Sequence, residues 1–424
     1  MSELLRNLLK NRSGEGASRG IYSVCSSHPW ALRAALRQAV QDGSPVLIEA
    51  TSNQVNQEGG YTGMRPKDFR ELVFNLAKEE GVPEARIILG GDHLGPNPWR
   101  KKPATEAMAL AEAMVREYAA AGFTKIHLDA SMACTGDPEA LPVETVAERS
   151  AQLCLAAEEA AAAAKVHPVY VIGTEVPTPG GATESISGVH ATATSDAEQT
   201  YEVHRRVFAK HGLEDAWSRV VAMVVQPGVE FNHDSVSHYD AGKARELSAW
   251  IDRRRPLVFE AHSTDYQLPE AYRELVRDGF AILKVGPAVT FAMREAIFAL
   301  TRIEDELVPD GKRSNLRNVV ERVMLASPKD WEGHYHGSPE QQRILRTYSY
   351  SDRIRYYWNV PEISQAVEAL IRNLNSVEIP ETLISAYLPL EYEAIRAGVL
   401  KSDPTEIVLY ASQRVLVPYA EACF

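Results

Sequence analysis

Eight short runs of apolar, largely β-branched residues recur between residues 20 and 287, and stretches of strong helix formers separate them. The runs are GIYSVCS (20–26), PVLIEAT (45–51), RIILGGD (86–92), KIHLDAS (125–131), VYVIGTE (169–175), VVAMVVQ (220–226), LVFEAHS (257–263) and AILKVGP (281–287). Near-continuous apolarity of this kind fits parallel strands covered by helices on their outer face. The spacers agree, for example PATEAMALAEAMVREYAAAG (103–122), where Gly122 reads as a C-terminal stop. Eight strand–helix units predict an α/β fold, a closed (β/α)8 barrel, with an open doubly wound sheet as the alternative. No GxGxxG follows the first run, so nothing points to a dinucleotide fold. Residues 288–307 read as the last barrel helix. Residues 308–424, rich in Arg, Tyr and Trp, read as a helical extension packed on a barrel of residues 1–307.

In a barrel of this type the carboxyl ends of the strands share one face, and that face holds the active site. Here those ends are polar in every unit: Ser26 and His28, Glu49 and Asn53, Asp92 and His93, Asp129 and Ser131, Glu175, Gln226, His262 with Ser263 and Asp265, and Lys284. One polar strand end is an ordinary exit into water. Eight in succession, rich in acid, imidazole and amide, predict a shared functional rim.

Composition removes several classes of function. The formal charge of −12 argues against nucleic acid as a partner, because phosphate neutralisation needs clustered Lys and Arg. No apolar run approaches the roughly 18 residues of a membrane span. The start, MSELLRNLLKNRSGEG, is amphipathic and lacks the apolar core and cleavage site of a signal peptide. The four cysteines (Cys25, Cys134, Cys154 and Cys423) have no CxxC spacing, so the reducing cytoplasm is the expected compartment. Cys25 ends a strand and is read as a buried thiol.

Imidazoles and carboxylates delivered from separate strands are what a catalytic divalent ion needs, with about three protein ligands and an open position. His93, Glu175, His233 and His262 form the candidate ligand set, with Gln226 as the alternative to His233. His127 shares a strand face with Asp129 and is a weaker candidate. HYH at 334–336 is read as a surface loop rather than a metal pair. Zinc is the expected ion, with manganese or cobalt as substitutes. Asp92, Glu175 and Asp129 are the candidate proton carriers. Neighbours in an extended chain face opposite ways, so Asp92 and His93 serve one site only if the backbone turns there, which Gly90 and Gly91 would permit. The alternative for Asp92 is a loop cap. Asn53, Ser131, Gln226, Ser263, Asp265 and Lys284 are the candidate substrate-binding groups. Lys284 also offers a Schiff-base route that needs no metal. The glycine-rich loop around residues 52–64 is read as either a lid or a plain surface loop.

The blocks LIEATSNQVNQEGGYTGM, ILGGDHLGPNPW, GFTKIHLDASM, YVIGTEVPTPGG, VVQPGVEF, FEAHSTDYQ, ILKVGPAVTFAMREA, HYHG and YSYSDRIRYYW resemble the Z-type subunits of D-tagatose-1,6-bisphosphate aldolase, and the resemblance runs nearly end to end. It implies a TIM barrel of the class II, metal-dependent aldolase superfamily. It implies either a subunit that supports a separate catalytic aldolase chain or a ketohexose 4-epimerase acting between fructose and tagatose. In the class II pattern an Asp-His pair ends a strand, the Asp as acid/base and the His as zinc ligand. Asp92 and His93 match it, and His262 matches a second ligand. HSTDYQ lacks the glycines of the class II phosphate loop, and Gln226 stands where that pattern has a ligand His. These departures point to a sugar that is unphosphorylated or held differently. The implied reaction breaks and remakes the C3–C4 bond of a ketohexose or ketohexose phosphate. A divalent ion would polarise the carbonyl, and a rim carboxylate would take the C4 hydroxyl proton. Implied partners are the sugar and an aldolase subunit, and assembly of copies of this chain with one another is compatible with the pattern.

Overall fold

The computed structural model describes residues 2–10, 19–173 and 189–424. Every apolar run contains a strand. They are β1 (Ile21–Val24), β2 (Val46–Thr51), β3 (Ile87–Leu94), β4 (Lys125–Leu128), β5 (Val169–Ile172) and β6 (Val220–Val224). A small antiparallel ribbon follows, β7 (Glu230–Phe231) with β8 (Val236–Ser237), and then β9 (Val258–Ala261) and β10 (Phe280–Val285). The eight long-range strands close in the order β1-β10-β9-β6-β5-β4-β3-β2 with every pairing parallel. This is the (β/α)8 barrel. Closure leaves no edge strand and rules out the open-sheet alternative.

Strand alternation sorts the interior into layers. The lowest is apolar: Ile21, Leu47, Ile88, Val258 and Ile282 pack with Leu5 and Leu9 of the helix Ser2–Lys10, which plugs the amino-terminal mouth. Two residues further along their strands come Ser23, Glu49, Glu260 and Lys284, joined at the same level by Lys125 of β4, all buried. Two residues beyond those lie the groups of the rim. The amphipathic N-terminal segment thus covers the barrel floor, and the polar residues sit above it.

The expected last barrel helix behaves differently from its reading. Helix Pro287–Leu307 begins on the barrel, where Ala288 and Val289 join the main core, but from Met293 onward its apolar face belongs to a second core. That core is built with the helices Leu316–Ala326, Pro361–Asn375 and Pro404–Arg414. Outside β1, the barrel is instead covered by the C-terminal helix Val417–Cys423. Tyr419, Ala420 and Cys423 lie in the main core, and Gly20 N donates to Cys423 O at 3.1 Å. The Tyr419 ring packs 4.0 Å from that of Tyr272, and its hydroxyl donates to Thr264 O at 2.9 Å. The chain's last turns therefore complete the barrel wall. The body of the extension is tied to the long helix by the buried pair Arg294–Asp352 (3.1 Å). No helix among the described residues is long and apolar enough to cross a membrane.

Candidate metal centre

The middle interior layer is an ion network. Lys125 Nζ lies 2.7 Å from Glu49 Oε1 and 2.7 Å from Glu260 Oε2. Lys284 Nζ lies 2.8 Å from Asp92 Oδ1, 3.0 Å from Glu49 Oε2 and 3.6 Å from Glu260 Oε1. Ser23 donates to Glu49 Oε1 at 2.6 Å. A Cβ at Gly90 would come within 2.6 Å of Glu49 Cγ, so glycine there makes room for the carboxylate. Each charge is costly to bury alone and is matched by a neighbour. Burial opposes the charge on Lys284, but Asp92, Cys25, Glu49 and Glu260 together hold its pKa well above the ordinary lysine value. A protonated, triply engaged ammonium is a poor Schiff-base nucleophile.

Above this layer Asp92, His93, His127 and His262 converge, with one ligand atom from each lying within 4.8 Å of the others. The backbone turn that brings both Asp92 and His93 inward does not come from the glycines. Gly90 and Gly91 remain in β3, and His93 itself takes the left-handed conformation (φ 48) where the β3–β4 register shifts. That conformation costs a non-glycine residue energy and is retained where a site needs it.

Hydrogen bonds orient all three rings. His127 Nδ1 lies 3.2 Å from His93 N and 3.1 Å from Asp92 Oδ1, and its Nε2 lies 3.1 Å from Gly173 O, so both of its nitrogens have partners within the protein. His93 Nδ1 lies 2.6 Å from Asp129 Oδ2, and His262 Nε2 lies 2.9 Å from Glu260 Oε1. Carboxylates at those positions take one N–H of each ring, which leaves His93 Nε2 and His262 Nδ1 as the inner nitrogens. These two atoms face each other at 3.1 Å. Such an approach is bridged by a cation: a proton on His93, whose pKa Asp92 and Asp129 raise against the effect of burial, or a metal ion that takes the place of that proton. Imidazoles oriented by carboxylates through the second nitrogen are the usual supports of a metal ligand. The donor set, two imidazoles with Asp92 adjacent, therefore fits a divalent ion such as zinc. Burial opposes ionisation of Asp92, yet Lys284, His93, His127 and His262 hold its carboxyl well below the usual range. Burial pushes His262 down to about 3, so it is neutral and available as a donor. Asp129 is pulled to about 2 against the effect of burial, chiefly by its hydrogen bond to His93.

The cluster opens into a cavity lined by Asn53, Gln54 and Tyr61 from the β2 loop, Ser263 and Asp265 after β9, and Arg355 and Tyr356 from the extension. Asn53, Ser263 and Lys284 line this cavity. Asp265 lines the cavity too, but its Oδ1 accepts from Gly286 N (3.0 Å) and Ala288 N (2.8 Å) and so caps the long helix. Ser131 donates to Asp129 Oδ1 at 2.9 Å and braces that carboxylate rather than lining the cavity. Gln226 Oε1 accepts from Gly228 N and Val229 N, which commits it to its own turn. His233 is not in the cluster. Its Nε2 lies 2.9 Å from His334 O, its Nδ1 lies 3.2 Å from Ser349 Oγ, and its ring packs on Tyr335, so it anchors the extension. Glu175 lies outside the described residues. Sequence reasoning passed over Glu260 and Lys125 as site groups. Their signal was a charge two residues before a rim histidine on a barrel strand, hence on the same face. Arg355, Tyr356 and Tyr61 were also missed, because their approach depends on how the extension folds back.

The β2 loop is well bonded. Asn56 Oδ1 accepts from Glu58 N (2.9 Å) and Gly60 N (3.0 Å), and Gly60 has φ 56 with Gln54 O where a Cβ would stand. Tyr61 then packs edge-on against Tyr356 at 4.8 Å. The loop joins the extension over the cavity.

A family model described as "D-tagatose-1,6-bisphosphate aldolase subunit GatZ/KbaZ-like" matches residues 5–424. Two curated relatives named "D-tagatose-1,6-bisphosphate aldolase subunit GatZ", from Salmonella heidelberg (strain SL476) and Salmonella agona (strain SL483), are each 52% identical over 414 residues. Each alignment covers 97% of this chain and 98% of the relative. A solved structure described as a probable tagatose 6 phosphate kinase from Sinorhizobium meliloti 1021 superimposes with TM-score 0.89 at 51% identity, covering 96% of this chain and 100% of that one.

Proposed function

This chain belongs to the family of D-tagatose-1,6-bisphosphate aldolase subunits, GatZ/KbaZ-like, and on that premise we propose that its own barrel breaks and remakes the C3–C4 bond of a ketohexose or ketohexose phosphate. The observation that carries this reading is the convergence of His93 Nε2 and His262 Nδ1, 3.1 Å apart, each ring oriented by a buried carboxylate and with Asp92 in the same cluster. A barrel kept only as a scaffold has no need of that arrangement.

His93 and His262 would hold the divalent ion, with Asp92 at their side and Glu175 as the further ligand drawn from the sequence. When bound, the ion supplies a Lewis acid that polarises the ketose carbonyl. The chain's residues account for the rest. Asp92, ionised and 2.8 Å from Lys284 Nζ, accepts the C4 hydroxyl proton and later returns it. Lys284 keeps Asp92 aimed and steadies the charge that builds on the substrate oxygens. Asn53 and Ser263 offer hydrogen bonds to sugar hydroxyls. The loop and extension that meet at Tyr61 and Tyr356 limit water around the reacting carbons. If the aldehyde fragment departs and the proton taken by Asp92 is delivered to C3 of the remaining enediolate, the reaction is that of an aldolase. If it rotates and re-adds through its other face, C4 is inverted, and the chain is a D-tagatose/D-fructose 4-epimerase.

A second reading rests on the name that the relatives carry, that of a subunit. In it the chain binds and stabilises a separate aldolase subunit without turning over sugar. Purified chain loaded with zinc or manganese is incubated with D-fructose, D-tagatose and D-tagatose-1,6-bisphosphate in turn, and products are followed by NMR. Conversion of any of the three that disappears in the His93→Ala/His262→Ala protein supports the catalytic reading. No conversion of any, with a raised yield or activity of a co-expressed aldolase subunit, replaces it with the stabilising one.

A further inference from the structure

The cavity above the metal cluster has two permanent cations in its described lining, and they are treated in opposite ways. Lys284, at the deep end, lies within ion-pair distance of three carboxylates. Arg355, at the outer end, has none among the described residues. Its Nη1 donates to the backbone oxygens of Ser351 and Asp352, its Nη2 donates to Tyr356 Oη at 3.0 Å, and its guanidinium lies 4.5 Å from the Tyr356 ring centre. Neutral acceptors and a ring hold the guanidinium in place without cancelling its charge. Asp352, nearest in sequence, is committed to Arg294 (3.1 Å) and Thr290 (2.6 Å). Asp265, the other acid near the outer end, caps two helix amides, and burial raises it to about 6, which weakens its claim as a counter-charge. A partly buried, unmatched guanidinium is unfavourable unless an anion completes it.

We propose that Arg355, with the Tyr61 and Tyr356 hydroxyls beside it, is the anion subsite of this cavity, and that it receives a phosphate ester at the end of the sugar remote from the reacting carbons. The proposal rests on the catalytic reading of the cavity and specifies its substrate class as a ketose phosphate. It accounts for a feature of the sequence: HSTDYQ after β9 has no glycines to wrap a phosphate, and Asp265 already fills the N-terminus of the helix that follows β10. The anion is handed instead to the extension. Tyr61 and Tyr356, from loop and extension, meet at 4.8 Å beside the guanidinium, so binding there would draw the two segments together over the substrate.

The test uses inorganic phosphate as probe, calorimetry of the metal-free full chain, and zinc titration of the same preparations. Wild type is expected to bind phosphate, Arg355→Gln to bind it about ten- to a hundredfold more weakly, and Arg355→Lys to fall between. Zinc affinity is expected to be equal in all three. In turnover, Arg355→Gln is expected to raise KM for D-tagatose-1,6-bisphosphate by a larger factor than KM for free D-tagatose. Phosphate binding that is absent in wild type, or undiminished in Arg355→Gln, overturns the inference while leaving the metal reading intact. Absent zinc binding with Arg355-dependent phosphate binding would sink the metal reading alone. Should Arg355→Gln fail to fold, wild-type crystals soaked in phosphate decide, since the inference requires an anion on the Arg355 guanidinium and fails if the anion sits elsewhere.

Discussion

Asp129 makes no contact with a metal in this account, yet its replacement by Asn is expected to weaken zinc binding sharply. Its Oδ2 lies 2.6 Å from His93 Nδ1, and its Oδ1 is held by the Ser131 hydroxyl at 2.9 Å and by Ser131 N at 3.3 Å. The carboxylate does two things. It keeps the N–H on Nδ1, which leaves Nε2 free to donate, and its charge makes the imidazole a stronger donor. Asp129→Asn preserves shape and one acceptor oxygen but removes the charge, and the amide can present NH2 to the ring and favour the wrong tautomer. Loss of such a supporting group typically costs about ten- to a hundredfold in metal affinity, or roughly 1.4–2.7 kcal/mol. Competition against a chromophoric zinc chelator at neutral pH measures it directly. The Ser131→Ala protein should lose much less, because Asp129 keeps its charge and its bond to His93. If Asp129→Asn binds zinc within about twofold of wild type while His93→Ala abolishes binding, the orienting role is refuted.

Other consequences concern the rest of the molecule. Replacing His233 by Ala should leave zinc affinity unchanged and lower the melting temperature, because its nitrogens serve His334 O and Ser349; a loss of zinc binding would restore it as a ligand. Tyr419→Ala removes a fully buried ring from the C-terminal helix that closes the barrel wall, and should cost about 3–5 kcal/mol in chemical denaturation; a loss below about 1 kcal/mol would show that this helix is dispensable. His204 is buried, donates from Nδ1 to Thr200 O at 2.8 Å and titrates at about 4, lowered by burial. Its unfolded form takes up a proton near pH 6.5 and its folded form does not, so it lowers stability as pH falls between those values, by roughly 1.4 kcal/mol per pH unit. Denaturation midpoints of His204→Leu against pH should therefore show a flatter acid limb, and an unchanged limb would place the proton uptake elsewhere.

Much of this architecture can be read from the chain because barrel strands are nearly pure apolar runs and their ends are marked by polarity. Asp92, His93 and His262 were legible for that reason. What escaped reading depended on distance in sequence. His233 follows β6 closely, but its neighbours are Tyr335 and Ser349, more than a hundred residues on. Helix Pro287–Leu307 has the right pattern for the eighth barrel helix, yet that place is filled by Val417–Cys423, whose short Val-Pro-Tyr-Ala start carries little periodicity. The paired glycines of β3 suggested a hinge, whereas Gly90 makes room for Glu49 and the turn falls on His93. Arg355 resembles any other basic residue of the extension until the extension is folded over the cavity.

The central claim is that His93 and His262 share one divalent ion. It is tested most directly by an anomalous difference map, collected at the zinc edge from zinc-soaked crystals of the full chain. The account predicts one dominant peak bonded to His93 Nε2 and His262 Nδ1 with Asp92 alongside. A fully soaked crystal with no peak there, or with its dominant peak at His233 and His334, would contradict it.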